Sequence, residues 1–397
     1  MMKHRRASGL SCRKPTTPGF PRGMALFTCH PGKVAPILHK EVHPGIQTKG
    51  NRRQNVKALP QRRAMRASGV FSTFSKVSAL AAACTLLLCA TGAQAADSSD
   101  FPNRGPIRLL VGFAAGGSSD TVARIMAPVL SKKLKQNIII DNRPGAGGNI
   151  ASDALIKSAP DGYTIMLGTI GSLAVNQHLS KLSYDPVTDM APISLAVSFS
   201  NVLVVNANSK IHTFADYLQA AKAPHSDMSF GSSGIGSSGH LAGEQLKFVA
   251  GLQNQHVAYR GGAPATNDLL GGTLASIFAS PTDAIQFINA GKLRPIVTTG
   301  LQRLDVLPNV PTIAESGYPG FEANNWYAFT APARTPAPVV EALNQAIVAT
   351  LKDPEVDAKL KKLGLDPDPT TPQEADRYIR AESDKWGGLI KKLNINL

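Results

Sequence analysis

The sequence predicts an α/β fold with two lobes, and three observations lead to that prediction. Short apolar runs alternate with segments of helical periodicity between residues 101 and 200, as strands and helices do in α/β proteins. The same alternation resumes after residue 201 with different loops. A Pro- and Gly-rich connection at 305–322 then precedes one more strand and a helical C-terminal region.

The first lobe begins with a strand at Ile107–Gly112, an apolar run suited to a buried parallel strand. Apolar residues from Val122 to Leu134 then fall on one face of a helix, which Pro128 is expected to kink or shorten. The next elements are a strand at 138–140, a helix at 149–158 and a strand at 163–167. This order predicts a parallel sheet with helices on both faces.

The second half follows the same patterns. Strands are predicted at 202–205, 229–230, 256–259, 275–279, 294–298 and 326–330. Helices are predicted at 214–222 (capped by Thr213), 241–248, 265–270, 284–290, 337–351, 354–363 and 372–393. Lobe 1 is expected to comprise 104–200 and 326–397, lobe 2 to comprise 206–322, and the hinges to lie near 201–206 and 323–331.

Excess basic charge is confined to the first 95 residues. They hold 16 Lys and Arg and a single acid, Glu41, whereas residues 96–397 hold 26 basic and 26 acidic residues. A neutral chain gives no electrostatic reason to expect nucleic acid or anionic lipid as a partner.

Residues 65–95 have the pattern of a secretion signal. A short basic start is followed by the 14-residue apolar run Val77–Ala90 and by Ala-Gln-Ala at 93–95, where cleavage is expected. The alternative is a membrane anchor or a buried helix, but 14 apolar residues are too few to span a bilayer. The basic, aperiodic residues 1–64 are interpreted as a mis-assigned or disordered leader, with Met65 as the alternative start; a nucleic-acid-binding tail would conflict with the signal downstream.

All four cysteines (Cys12, Cys29, Cys84 and Cys89) precede the expected cleavage site. The exported chain is therefore expected to lack disulfides, thiol nucleophiles and cysteine-ligated metal. Its histidines are scattered without ligand spacing, so no metal and no cofactor are predicted.

Two Gly/Ser-rich loops, each between a strand and a helix, are candidate anion sites. They are GGSSD (116–120) and GSSGIGSSGH (231–240). A helix N-terminus presents unpaired N–H groups and the positive end of the helix dipole, and glycine lets a ligand approach the backbone. For the first loop the alternative is that Ser118 or Ser119 only caps the helix. For the second loop, a lone His240 without a paired acid is more often a capping or packing residue than a base. A hydrolase using Ser237 or Ser238 with His240 is a further alternative, although the exported chain has no G-x-S-x-G motif.

Two more loops follow strands at the same sheet edge. Arg260 could bind a carboxylate through both guanidinium nitrogens, or lie on the surface beside a tight turn. In the segment 280–283, Thr282 or Asp283 could simply cap a helix. Because open α/β sheets bind ligands at the carboxyl ends of their strands, the loops of both lobes are expected to face one cleft.

Eight ordered sequence blocks point to a known family. They are FPNRGPIRLLVGFAAGGSSD (101–120), DNRPGAGG (141–148), APDGYT (159–164), GSSGIGSSGHLAGE (231–244), YRGGAPATNDLLGG (259–272), AGKLRPIV (290–297), LPNVPTIAESGYPGFE (307–322) and WYAFTAPARTPAPVV (326–340). Together they resemble the Bug-type receptors, the periplasmic solute-binding proteins of tripartite tricarboxylate transporters.

The resemblance implies a Venus-flytrap fold of the type II periplasmic-binding-protein class, with crossing hinge strands and no enzymatic activity. It also implies a carboxylated ligand held between the lobes by backbone amides and small hydroxyl residues. The implied ligand-binding residues are Phe113, Ala115, Gly116, Gly117, Ser118, Ser119, Asp120, Thr169, Ser232, Ser233, Gly234, Gly236, Ser237, Arg260, Gly261, Ala263, Ser280 and Asp283. Pro128 and the segment 280–283 depart from the family pattern. The first departure concerns helix geometry, and the second leaves open which residue reads the far end of the ligand.

The predicted function is that of an exported, monomeric receptor that captures a small organic acid for the permease subunits of a membrane transporter. A serine hydrolase, or a ligand-sensing module of a membrane sensor, is the alternative. The sequence does not select among citrate, dicarboxylates, amino acids and aromatic acids.

Overall fold

A computed structural model describes residues 100–223, 228–393 and 395. The leader, the secretion signal, the four cysteines and His225 lie outside the described residues. Within the described part of the chain, no helix combines the length and the hydropathy needed to cross a bilayer.

The described elements alternate as strands and helices over most of the chain. The strands are β1 (Ile107–Val111), β2 (Ile138–Asn142), β3 (Thr164–Thr169), β4 (Met190–Ser200), β5 (Val202–Asn206), β6 (Ser229–Ser232), β7 (Gln255–Ala258), β8 (Ser276–Ala279), β9 (Leu293–Thr298), β10 (Asn324–Pro332) and β11 (Asp366–Pro367). The helices are α1 (Ser118–Leu134), α2 (Asn149–Ile156), α3 (Asn176–Leu179), α4 (Phe214–Lys222), α5 (Ser238–Ala250), α6 (Gly262–Leu270), α7 (Pro281–Asn289), α8 (Ala337–Leu351), α9 (Pro354–Lys361) and α10 (Pro372–Leu393). Short 3₁₀ and π turns lie at Ala146–Gly148 and Gly171–Val175.

The strands form two mixed sheets. The first has six strands in the order β11-β4-β10-β3-β1-β2, and the second has five in the order β7-β6-β8-β5-β9. In the first sheet β1 pairs in parallel with β2 and β3, as predicted, but β10 runs antiparallel to β3 and β4. In the second sheet β6 is parallel to β7 and β8, and β5 is antiparallel to β8 and β9. The prediction of a parallel sheet is therefore correct only for the strands joined by crossover helices.

The chain passes between the sheets twice, and the two passages are bonded to each other. Asn201 alone separates β4 from β5, and residues 299–323 connect β9 to β10. The Asn201 backbone N–H donates to Thr299 Oγ1 (2.9 Å), and Thr299 N–H donates to the Asn201 carbonyl (3.0 Å). We call the first sheet with its helices lobe 1, and the second sheet with its helices lobe 2. The two-lobed α/β prediction is confirmed, while the residue bounds of lobes and hinges stay predictions.

Sequence patterns missed one strand and placed the start of one helix too late. The strand β4 was missed because both its faces are buried and its serines interrupt the apolar run, so no alternation marks it. Helix α1 starts at Ser118, before the apolar periodicity begins, and Pro128 does not end it.

Candidate functional site

A small cavity lies between the lobes. Its lining residues are Phe113, Gly117, Ser118, Ser119, Thr169, Ile170, Asn201, Ser233, Ser237, Ser238, Gly239, Gly262, Ile277, Phe278, Ala279, Ser280, Asp283, Asn325 and Tyr327. The lining is mostly small, hydroxyl-bearing or apolar. It contains neither Lys, Arg nor His, and Asp283 is its one carboxyl group.

Four helices begin at this cavity. The first turns of α1, α5, α6 and α7 contribute lining residues, and α1 comes from lobe 1 while the other three come from lobe 2. Each helix start carries unpaired backbone N–H groups and the positive end of a dipole, and several such ends at one point favour a negative charge. The strand order produces this convergence, because each of these helices follows the carboxyl end of a strand that has a parallel partner. These strands are β1, β6, β7 and β8.

The two Gly/Ser loops differ in how their helices are capped. Helix α5 is capped by Ser237, whose Oγ accepts from His240 N–H at 3.4 Å. Helix α1 follows Gly117 and has no side-chain cap. The capping interpretation of Ser118 or Ser119 is therefore wrong, whereas the helix after the second loop is capped by a serine. At the start of α7 neither Thr282 nor Asp283 is the cap, since the N-cap residue is Ser280 and makes no side-chain capping bond.

Hydrogen bonds join the lobes beside the cavity. Ser280 Oγ donates to Ser118 Oγ at 2.9 Å, and the Ala114 backbone N–H donates to the Arg260 carbonyl at 3.1 Å. The described structure is therefore a closed arrangement, in which residues from both lobes contact the same space.

Two buried polar atoms at the cavity have no hydrogen-bond partner. They are Thr169 Oγ1 and Asn201 Nδ2, and both residues line the cavity. Asn201 is held in place through its other amide atom, Oδ1, which accepts from Ser238 Oγ at 3.1 Å. An unsatisfied buried polar group costs about 1–3 kcal/mol, so these atoms would gain from a polar ligand.

Asp120 organises the first loop from outside the cavity. Its Oδ2 accepts from the Gly116 backbone N–H at 2.9 Å and from Arg124 Nε at 2.8 Å. Burial alone would raise the pKa of the Asp120 carboxyl, but the bonds from Arg124 and Gly116 outweigh burial and lower it. The carboxylate therefore stays charged and fixes the turn before α1.

The structure brings together half of the sequence-predicted site residues. Those that line the cavity are Phe113, Gly117, Ser118, Ser119, Thr169, Ser233, Ser237, Ser280 and Asp283. Those that lie outside its lining are Ala115, Gly116, Asp120, Ser232, Gly234, Gly236, Arg260, Gly261 and Ala263. The Arg260 side chain is exposed and lies in a neighbouring cleft beside Gly147 and Ser233. Whether any of these residues contacts a ligand stays a prediction.

Sequence reasoning missed cavity residues in or beside the passages between the sheets. Asn201 lines the cavity from the first passage, and Asn325 and Tyr327 line it from β10, just after the second. The sequence signal that could have found them is a polar residue in or beside an otherwise apolar strand. Such a residue becomes buried with the strand, and its polar group then needs a partner.

The arrangement proposed for a serine hydrolase is not assembled. His240 Nδ1 accepts from the Gly236 backbone N–H at 3.1 Å, and neither Ser237 nor Ser238 bonds the ring. Ser237 Oγ donates instead to the Gly234 carbonyl at 2.6 Å. The closest histidine–serine pair joins His256 Nε2 and Ser232 Oγ at 2.7 Å, and Ser232 is fully buried beneath the second loop. Both histidines thus support the loop's backbone.

These two rings should make the protein less stable in acid. The His240 and His256 rings lie 4.2 Å apart, and burial lowers the pKa of His240 to about 4 and that of His256 to about 3. The unfolded chain takes up these protons below about pH 6.5 and the folded state does not. The free energy of unfolding should therefore fall by roughly 5 kcal/mol between pH 6.5 and pH 4, and the pair should have little effect above about pH 7.5.

Urea denaturation at a series of pH values measures how steeply the free energy of unfolding depends on pH, which is the slope compared below. The variant His240→Gln should roughly halve the slope between pH 6.5 and 4, because His256 remains. His212→Gln, which replaces an exposed histidine, should keep the wild-type slope. An unchanged slope in His240→Gln would contradict the prediction.

The profile described as "Tripartite tricarboxylate transporter family receptor" matches residues 122–395. The chain belongs to this family. Receptors of the family are periplasmic binding proteins, and the resemblance seen in the sequence blocks is confirmed.

Curated and solved relatives extend the comparison beyond the profile. The UPF0065 protein in the tcbD-tcbE intergenic region of Pseudomonas sp. (strain P51) is 37% identical over 77% of this chain and 90% of its own length. The periplasmic binding protein BugD is 32% identical with a TM-score of 0.71, covering 74% of this chain and 99% of BugD. R. palustris Rpa4515, solved with adipate, is 34% identical with a TM-score of 0.72, covering 75% of this chain and 99% of Rpa4515.

Proposed function

We propose that this receptor captures a small carboxylate-bearing metabolite between its lobes and delivers it to a membrane permease of the tripartite tricarboxylate type. The observation that carries the proposal is the convergence of four helix N-termini on a cavity that also holds two unpartnered polar atoms. Helix N-termini are anion sites, and Thr169 Oγ1 and Asn201 Nδ2 supply further donors. The adipate bound to Rpa4515 supports the same ligand class.

The ligand's attraction to this site is local. Residues 96–397 have no net charge, and no cationic side chain lines the cavity among the described residues. Backbone dipoles fixed by the fold therefore supply the positive potential, and closure of the lobes removes water that would weaken it. Export into the periplasm through the signal at 65–95, and action as a monomer, complete the proposal.

A thermal-shift screen of the purified protein against mono-, di- and tricarboxylates tests the proposal. A ligand present at 100 times its Kd should add about 2.7 kcal/mol to the free energy of unfolding. Matched methyl esters should add nothing, because they lack the charge. A flat response to every carboxylate would overturn the proposal.

The unpartnered hydroxyl of Thr169 offers a sharper test. Thr169→Val should leave the ligand-free protein as stable as the wild type or slightly more stable, because the lost hydroxyl has no partner. The same variant should weaken ligand binding by about 5- to 10-fold, the effect of one hydrogen bond. Calorimetric titration measures the affinity.

Thr330→Val is the matched control for Thr169→Val. Thr330 Oγ1 is also buried without a partner, but Thr330 does not line the cavity. This control should leave binding unchanged. Equal affinities in the two variants would remove Thr169 from the site.

A further inference from the structure

We infer that Asp283 selects the second polar group of the ligand. The receptor would take a carboxylate whose far end donates hydrogen bonds, through an ammonium, amide or hydroxyl group, and would reject a second carboxylate. The inference rests on the proposed function and adds a substrate class to it.

Asp283 is built into the cavity wall. It stands in the first turn of α7 with a relative exposure of 8%, and it lines the cavity. Its Oδ2 lies so close to Gly262, the first residue of α6, that a Cβ at Gly262 would overlap it. The Ser118 backbone N–H of lobe 1 opposes the effect of burial on the pKa of this carboxyl group. A carboxyl group set into the wall in this way presents an acceptor to anything in the cavity.

No cation faces this carboxyl group among the described residues. Helix α7 carries no other charged side chain. On α1, the Arg124 guanidinium is 56% exposed and is paired with Asp120, and neither residue lines the cavity. On α6, Asp268 accepts from Tyr259 Oη at 2.7 Å. On β9, which packs against α7, the Arg294 guanidinium donates to the carbonyls of Ala207, Ser209 and Ile211. On β10, Tyr327 is a neutral hydroxyl whose pKa is raised by burial and by Asp283.

A buried carboxylate without a cation is costly, and a ligand can remove that cost. The four helix starts offer N–H groups to one ligand carboxylate, and Asp283 offers an acceptor to the other end. A ligand ammonium or amide would pair with it, whereas a second ligand carboxylate would face a like charge and be repelled. The adipate in Rpa4515 is a dicarboxylate, so the inference separates this receptor from that relative.

The inference also has a pH signature. Burial raises the pKa of Asp283 to about 7, against a smaller opposing effect of the Ser118 N–H. Above pH 7 the group is a charged acceptor, and below pH 7 it gains a proton that it can donate. Dicarboxylate binding should therefore strengthen as pH falls from 8 to 6, and binding of ammonium-ended ligands should weaken.

Calorimetric titration of the wild type and Asp283→Asn tests the inference. The ligands are unbranched four- and six-carbon chains with one terminal carboxylate and, at the other end, an ammonium, amide, hydroxyl, methyl or second carboxylate group. At pH 8 the wild type should bind the best donor-ended ligand at least ~10-fold more tightly than the dicarboxylate of equal length. Asp283→Asn should reverse that order. Asp376→Asn, which removes an exposed carboxylate paired with Arg380, is the charge-matched control and should keep the wild-type order.

Each result decides the question. An order of ligands that is the same in the wild type and Asp283→Asn overturns the inference but leaves the proposed function intact. An equal loss for every ligand also overturns it, because Asp283 would then act only on lobe closure. No binding by any carboxylate to either protein overturns the proposed function together with the inference. Asp283→Ser provides the same comparison if Asp283→Asn does not fold.

Discussion

Gly147→Ala should prevent the lobes from closing on a ligand and weaken its binding by about 100-fold, or about 2.7 kcal/mol. Gly147 follows β2 in lobe 1 and has a positive φ of 62°. A Cβ at this position would overlap the carbonyl oxygen of Ile235 in the second Gly/Ser loop, and would press on Asn176 Nδ2. Because the Ile235 oxygen is a backbone atom, the overlap can be relieved only by moving one lobe away from the other.

The control for Gly147→Ala must share its backbone cost without touching the other lobe. Gly251 has a φ of 64° at the end of α5, and a Cβ there would have no neighbour within 4 Å. Both substitutions carry the left-handed penalty of about 1 kcal/mol, so both should lower stability similarly. Only Gly147→Ala should lose affinity in calorimetry and fail to contract on ligand addition in X-ray scattering. Normal contraction of Gly147→Ala would contradict the expected role.

Glu382→Leu should lower the free energy of unfolding by about 2–5 kcal/mol. Glu382 Oε2 accepts from two indoles, Trp326 Nε1 at 3.2 Å and Trp386 Nε1 at 3.0 Å. Both tryptophans are 1% exposed, and they tie β10 to α10. Leucine keeps the bulk but leaves two buried N–H donors without a partner.

Chemical denaturation measures the decrease in the free energy of unfolding. Two further variants test whether the indole hydrogen bonds cause it. Lys385→Ala removes the exposed partner of the other carboxylate oxygen and should cost less than about 1 kcal/mol. Glu382→Gln keeps an acceptor oxygen and should fall between the two. If Glu382→Leu is as stable as Lys385→Ala, the indole bonds do not contribute as described.

The elements that sequence patterns revealed are those with a local signal. Thr213 was expected to begin a helix, and it does so through a full capping box with Asp216. The parallel strands β1 to β3 were recognisable as short apolar runs separated by glycine turns. Strand β4 was not recognisable, because burial on both faces removes the alternation on which strand recognition depends.

The candidate site was predictable only in part, for a related reason. GGSSD and GSSGIGSSGH look alike as loop-to-helix segments, yet only the second is capped by its own serine. His240 looked like a partner for Ser237 or Ser238, but its ring turns to the Gly236 backbone and packs on His256. The direction of a side chain depends on neighbours that a sequence window does not contain.

The sequence by itself determined the family, the two-lobed α/β class and the loops that begin the helices, because glycine turns, capping residues and apolar periodicity act within a few residues. The tertiary structure alone decided which helix starts meet, which polar atoms lack partners and how isolated Asp283 is. Those properties arise from contacts between distant segments, such as the Ser118–Ser280 bond across 162 positions of the chain. Hydrogen-bond satisfaction and desolvation are set by everything within a few ångströms in space, whatever its place in the sequence.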